Sequence, residues 1–297
     1  MMDISVVIGT RNQWPTLERV LASFATQTLP PATFEVVVVD SESTDGTGSA
    51  CAAGQWPFAL RYVRRRDTGK AAARNEAIRL AGAALLFLTD GDVLAHPDLL
   101  ASHLAAQRRR PGAAIVGRQI VIDALDEMRA GGRAALPRGR RQGQRLRWNE
   151  LVTGNLSIPR QVLLDAGLFD EDFVGYGYED YELGYRIAGC GVPILYQPSA
   201  INYHWHPVRF EDDLGRKREA GRSAVLFCRK HPSPLLRWRI GMHPINRRLW
   251  GAVSEDGRLL RVCRRWAAVP SRKGRAARSI LLEWSFQQGV REAFDVP

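Results

Sequence analysis

The chain is short of several things, and each shortage removes a class of function. No apolar run approaches the ~18–20 residues that cross a bilayer, so no spanning helix is expected. The first residues, Met1-Met2-Asp3-Ile4, run straight into a strand-like stretch. A basic segment followed by an apolar signal core is missing there, which speaks against secretion. The four cysteines, Cys51, Cys190, Cys228 and Cys263, include no pair at metal or redox spacing. Neither a zinc module nor a disulfide framework is expected, and reduced thiols in the cytoplasm are the simplest account. No G-x-x-x-x-G-K-[ST] occurs. Gly46-Thr47-Gly48 lacks the third glycine of a dinucleotide fingerprint and follows an acidic turn. Phosphate-loop and dinucleotide readings are both weak. Internal repeats are absent too.

Acidic residues are also scarce, 31 against 42 Lys and Arg in 297 residues, for a net charge of +11. Nucleic acid, anionic lipid and phosphorylated substrates are the partners such a balance admits. The excess is local. Residues 108–147 hold 11 arginines against Asp123, Asp126 and Glu127, and from Arg229 onward 15 basic residues face 5 acidic ones. Hydrophobic content of 45% with 25% charged residues is that of an ordinary globular protein.

Apolar runs that end on carboxylates organise the first half. Leu85-Leu86-Phe87-Leu88 leads to Thr89-Asp90-Gly91-Asp92, and Val36-Val37-Val38-Val39 leads to Asp40. Short continuous runs of this kind suit buried strands. Ile4–Ile8 and Leu60–Val63 read as further strands, with helices over 15–27, 46–54, 69–82 and 97–109. The alternation predicts an α/β fold, a doubly wound and mostly parallel sheet flanked by helices. Its connections bring strand C-termini to one edge, where such sheets place ligands. Thr10, Asp40 and Asp90 should therefore line a common crevice.

Later strands are expected over 115–122, 192–196 and 200–206, and order resumes over 151–158. Residues 124–147 read as a mobile arginine-rich loop that orders when substrates bind. Pro159 opens a short helix, and another runs from Asp213 to about Lys230. The catalytic domain is placed at 1–230 and a basic helical appendage at 231–297. In the appendage Arg258, Arg261, Arg264 and Arg265 lie opposite Leu259, Val262 and Trp266. That apolar face could dock on the domain, or the helix could rest on an anionic membrane.

On an extended strand end, Asp90 and Asp92 point to one side and suit a Mg²⁺ or Mn²⁺ ion that also holds phosphates, although Asp-Gly is equally common turn chemistry. Asp40 could merely cap its turn. Lys70 and Arg74 could form a solvated helix face. Glu179, Asp180 and Glu182 could be first-turn acids, with Glu182 pairing Arg186. Tyr176, Tyr178 and Trp205 are core residues or stacking faces. His204 and His206 share one side of a strand, and one ligand with one bystander is expected.

Taken together, Asp40, the Lys70-Ala71-Ala72-Ala73-Arg74-Asn75 helix start, Asp90-Gly91-Asp92, Thr153-Gly154-Asn155 and Glu179-Asp180 resemble the family 2 glycosyltransferases over about residues 3–230. The resemblance implies the GT-A fold and inverting, divalent-metal-dependent transfer of a sugar from a nucleotide-diphosphate sugar, a UDP-sugar by default, to an acceptor hydroxyl. A glycan or lipid-linked acceptor is implied. Asp40 would meet the base. Lys70, Arg74 and Asn75, with Thr10, Arg11 and Asn12 in the first turn, would meet the donor. Asp90 would contact ribose or metal waters, Gly91 completes the turn, and Asp92 with His204 would ligate a divalent ion. Gly154 and Asn155 stand where the family has Gly-Gly-Asn, with Thr153 replacing the first glycine. Asp180 would be the base and Glu179 a supporting contact, the two directed about 100° apart on a helix.

Three other readings compete. A nucleotidyltransferase would want a Gly- and Lys/Arg-rich loop directly after the first strand, and Gly9-Thr10-Arg11-Asn12 is not one. A nucleic-acid binder would suit the pI, but no reader motif or basic stripe crosses the ordered half. A non-catalytic sugar-nucleotide binder is disfavoured by the presence of both Asp92 and Asp180.

Overall fold

The computed structural model describes residues 2–130, 133–136, 139–205, 207 and 209–295. His206 lies outside the described residues. Two compact units emerge: residues 1–174 with 179–207, and residues 175–178 with 208–297.

In the first unit the order is β1 (Ile4–Thr10), α1 (Thr16–Ala25), β2 (Phe34–Ser41), α2 (Thr47–Ala53), β3 (Ala59–Arg65), α3 (Lys70–Leu80), β4 (Leu85–Asp90), β5 (Val93–Ala95) and α4 (Leu99–Arg109). There follow β6 (Ala114–Ile122), α5 (Glu127–Ala130), β7 (Arg133–Ala134), β8 (Leu156–Pro159), α6 (Arg160–Asp165), α7 (Glu179–Gly189) and β9 (Ile194–Trp205). The sheet runs β3-β2-β1-β4-β8-β6-β9-β5, with β7 beside β6. Strands β3, β2, β1 and β4 are mutually parallel, β8 is antiparallel to both its neighbours, and β6 and β9 are parallel.

The apolar runs are buried on both faces, as their lack of alternation requires. Val7, Val37 and Val39 face one core with α3 and α7, while Ile4, Val6, Ile8, Phe34, Val36 and Val38 face another with α1 and α4. Register sets the crevice: Thr10 stands opposite Asp40, and Gly9 opposite Asp90.

Several expectations need correction. The stretches 192–196 and 200–206 are largely one strand, β9, which bulges where Gly117 pairs Gln197 but Arg118 pairs Ile201. The arginine-rich segment 124–147 carries α5 and β7. Its end also pairs with β9, through Gly143 N–H to Tyr196 O (2.8 Å) and Leu146 N–H to Ile194 O (2.8 Å). Leu146, a lone apolar residue in a polar stretch, is buried there and anchors that pairing.

The second unit holds α8 (Phe210–Lys230), α9 (Pro234–Arg239), α10 (Pro244–Gly251), α11 (Arg258–Ala267) and α12 (Arg272–Asp295). The boundary falls before α8 rather than after it. The reason is packing: α8 and α12 approach backbone to backbone, each through a glycine. A Cβ on Gly221 would sit 2.1 Å from Phe286 O, and one on Gly289 1.8 Å from Arg218 O. Arg218 and Arg222 both reach Glu292 across this seam. Tyr178 stacks on Phe286 and leans on Phe227, so it is core. No helix among the described residues is long and apolar enough to cross a membrane.

Candidate active site

The first unit gathers its charged groups around one guanidinium. Arg74, in the first turns of α3, is 1% exposed and lies over the Phe169 ring at 5.1 Å. Its Nη2 donates to Asp90 Oδ1 at 2.6 Å, and its Nη1 reaches Asp180 Oδ1 at 3.0 Å and Glu179 Oε1 at 3.5 Å. Lys70, one turn earlier, adds a contact to Asp90 Oδ1 at 3.2 Å and remains about half exposed. Four segments distant in sequence thus meet: the helix start, the end of β4, the turn carrying Phe169 and the start of α7. The expectation that Glu179 and Asp180 diverge by 100° gives way here. The longer glutamate swings back, and both carboxyls address Arg74.

Burial alone would push the Asp90 carboxyl up, but Lys70 and Arg74 outweigh it and hold it well below the usual carboxylate range. Arg74 itself, opposed by burial, is raised by Asp90, Asp180 and Glu179. Glu179 goes the other way. Burial, and then the Asp180 charge, raise it against Lys70 and Arg74. Its Oε2 is buried without a partner, which fits a carboxyl that holds its proton readily.

Asp92 follows Asp90 in the turn into β5. Because Val93 pairs His204 across β5 and β9, the histidine stands beside it, with Nε2 3.4 Å from Asp92 Oδ2. A hard oxygen and an imidazole suit a divalent ion, and among the described residues no third His, Cys, Asp or Glu completes a cage. Two protein ligands leave positions for diphosphate oxygens and water, as Mg²⁺ and Mn²⁺ prefer at phosphate sites. The residues present fit such an ion. Asp90, taken up by Lys70 and Arg74, is not the better ligand. A Cβ on Gly91 would fall 2.6 Å from Gln13 Oε1, the tip of a side chain that can move aside.

At the other end of the crevice the first two strand–helix turns are laced together. Asn12 N–H donates to Ser43 Oγ (2.7 Å), Thr44 N–H to Asn12 Oδ1 (2.8 Å), and Trp14 N–H to Asp45 Oδ2 (2.7 Å). Thr10 contacts Gln13 at 3.2 Å, and Arg11 pairs Asp67. Asp40 is fully buried. Ser43 donates to its Oδ1 and Tyr62 Oη to its Oδ2 at 2.5 Å. It caps its turn, and a base contact would have to share a carboxylate that these two hydroxyls already hold.

Two expected donor residues are occupied by the fold. Asn75 accepts from Phe169 N–H (2.9 Å) and donates to Phe169 O (2.9 Å) and Glu171 (2.8 Å). Asn155 is fully buried: Nδ2 donates to Ala200 O (3.1 Å), and Oδ1 contacts His103 Nε2 (2.8 Å). That oxygen can only accept, so His103 carries its proton on Nε2 and accepts from Ser157 Oγ at Nδ1 (2.9 Å). Gly154 lies at the surface of this network, where a Cβ would meet Gln119 Nε2 at 2.6 Å and Asp90 Oδ2 at 3.3 Å. Its carbonyl accepts from Thr89 (3.2 Å) and Asn202 (2.7 Å). Sequence reasoning missed His103, Gln119 and Asn202; polar side chains inside apolar helices and strands were the available signal. Glu182 pairs Arg186 at 2.6 Å, as its spacing suggested.

Burial pulls His103 down to about 4 from 6.5. Between those values the unfolded chain binds the extra proton, so folding stability falls as pH drops through this window. His103→Gln should therefore remove about 3 kcal/mol of acid-linked instability. Urea midpoints of variant and parent that lose the same amount between pH 7 and 4 would contradict this.

A family model described as Glycosyl transferase family 2 matches residues 5–163. The chain is 33% identical over 290 residues to the validoxylamine A glucosyltransferase of Streptomyces hygroscopicus subsp. limoneus, covering 85% of this chain and 62% of that one. It is 28% identical over 258 residues to the uncharacterized glycosyltransferase YfnE of Bacillus subtilis, with coverages of 69% and 66%. The chain thus spans less than two thirds of the length of these relatives. Among solved structures, the mannosyltransferase PcManGT of Pyrobaculum calidifontis with GDP-Man and Mn²⁺ superposes with a TM-score of 0.67 at 21% identity, over 98% of this chain and 87% of that one. TarS of S. aureus (1–349) with UDP-GlcNAc gives 0.63 at 17% identity, over 98% and 90%.

Proposed function

The chain belongs to glycosyltransferase family 2, and on that footing we propose that it transfers a sugar from a nucleotide-diphosphate sugar to an acceptor hydroxyl in one inverting displacement, releasing the nucleotide diphosphate. The observation that supports this is the convergence of Asp90, Glu179 and Asp180 on Arg74, which fits a donor end of the crevice lying beside a carboxylate able to take a proton. Asp92 and His204 would hold a Mn²⁺ or Mg²⁺ ion, which neutralises the diphosphate as it departs. Lys70, half exposed beside Asp90, supplies a second positive charge for the same purpose. Asp180 accepts the proton of the attacking hydroxyl. The Asn12–Thr44 and Asp40–Ser43 turns form the nucleoside end. UDP is the donor base we favour, and the acceptor is a glycan or a lipid-linked glycan. The described cysteines are all unpaired, which suits a reducing cytoplasm.

A thermal-shift panel of nucleotide diphosphates and nucleotide sugars, with and without Mn²⁺, tests the reading, because a ligand of the folded state raises the midpoint by mass action. UDP and one UDP-sugar should raise it only when Mn²⁺ is present. Asp92→Asn and His204→Ala should each abolish the metal-dependent part. Equal UDP affinity in parent and Asp92→Asn, with and without metal, would dissolve the metal assignment. A panel with no response to any nucleotide would remove the transferase reading itself.

A further inference from the structure

The exposed large apolar side chains of this protein are not scattered. Of the twelve among the described residues, eight fall between residues 235 and 269: Leu235 and Trp238 on α9, Ile245 and Leu249 on α10, then Leu259, Val262, Trp266 and Val269 on and after α11. Trp238 is 60% exposed and Leu249 66%. Isolated surface leucines need no explanation, but a concentration of this kind does.

On α11 the apolar stripe is too wide for one contact. Leu260, Cys263 and Ala267 pack inward against Ala277 and Leu281 of α12. Leu259, Val262 and Trp266, spaced to share a face, are left on the surface. The face expected to dock is therefore not the face that docks. Helix α10 repeats the arrangement with Ile245 and Leu249 one turn apart.

Charge identifies what covers these side chains. Residues 234–272 contain nine arginines and only two acids, Glu255 and Asp256. Beside Leu249, Arg248 lines a cavity of about 300 Å³ with Pro244, Gln287 and Arg291. Arg291 is braced on Trp250 O at 2.9 Å, and Gln287, 1% exposed, is braced on Glu283 at 3.0 Å. A polyanion in water matches the arginines but leaves leucines and tryptophans wet. An apolar protein partner matches the leucines but leaves arginines desolvated. An anionic bilayer matches both, with tryptophan at the headgroup level, apolar tips below it and arginines against the phosphates.

We propose that the second unit is a docking module for anionic membrane surfaces, seated through α9, α10 and α11, with a lipid phosphate between Arg248 and Arg291. It deepens the reading above by stating where a lipid-linked acceptor would be met, yet vesicle binding requires no transferase activity, so either can fail alone.

The test is flotation of the full chain with vesicles of phosphatidylcholine alone or with ~30% phosphatidylglycerol. Binding is expected only to the anionic vesicles, weakening at least tenfold between ~0.05 and ~0.5 M salt. Leu249→Glu combined with Trp266→Glu should cut vesicle affinity more than tenfold. Arg248→Gln alone should do so less, and UDP binding should stay at parental level in both. No flotation with anionic vesicles overturns the proposal. So does flotation unchanged in the double variant, or a concentration-dependent dimer that the double variant abolishes, since that assigns the face to a second copy. If the double variant unfolds by circular dichroism, Leu249→Ser with Val262→Ser replaces it under the same criteria.

Discussion

Asp180→Asn keeps its donor and loses its reaction: turnover should fall by about 10²–10⁴-fold while nucleotide and metal binding stay near parental values. The substitution preserves shape and the contact to Arg74, 3.0 Å away, but removes basicity. Asp180 is the more open of the two acids at the start of α7, with 28% of its side chain exposed against 10% for Glu179. Glu179 is pushed up by burial and then by the Asp180 charge, so its carboxyl holds its proton more readily than an ordinary glutamate. It is suited to donate a hydrogen bond, so Glu179→Gln should cost far less. Initial rates on the true acceptor, with donor affinity from calorimetry, decide the matter. A fully active Asp180→Asn alongside a dead Glu179→Gln would exchange the two roles.

Replacing Arg74 with methionine should cost about 3–5 kcal/mol of folding stability, because it strands carboxylates that share one cation. Methionine fills similar volume, so the loss measures charge and hydrogen bonds more than packing. Arg74→Lys should recover only part of it. A single ammonium cannot reproduce the fork that reaches Asp90 through one nitrogen and Asp180 and Glu179 through the other. Denaturant midpoints followed by tryptophan fluorescence provide the measurement. A change under about 1 kcal/mol for Arg74→Met would mean that water replaces the guanidinium without penalty.

How legible this was depends on how local each signal is. Strands β1, β2 and β4 could be read directly, because an unbroken valine or leucine run ending in Asp has few other homes. Asp90 and Asp92 could be singled out because such ends are where open α/β sheets place ligands, whereas Glu179 and Asp180, in the first turn of α7, were singled out only through the family resemblance. The burial of Arg74 could not: its neighbours come from Phe169, β4 and α7, and nothing in a Lys-x-x-x-Arg helix start distinguishes a solvated face from a clamp. Asp40 and Asn155 show the same limit. Their types are those of ligands, and only the positions of Ser43, Tyr62, His103 and Ala200 reveal that the fold has engaged them. On α11, periodicity marked an apolar face without saying that it spans more than one contact can cover. The arginines of 124–147 obscured a strand pairing that depends on backbone groups and one buried leucine.

The bulge in β9 gives the chain uneven tolerance to length change. Register breaks between Gln197 and Ile201, and Asn155 holds Ala200 O on the far side of that break. Residues added or lost at Pro198 or Ser199 can be taken up before the anchor, leaving everything downstream in place. Between Ala200 and His204 there is no such slack. A single insertion there turns the imidazole to the opposite face of the sheet and sets another side chain beside Asp92. Drift in loop length can therefore accumulate on one side of Ala200, while the five residues from Ala200 to His204 are locked in number.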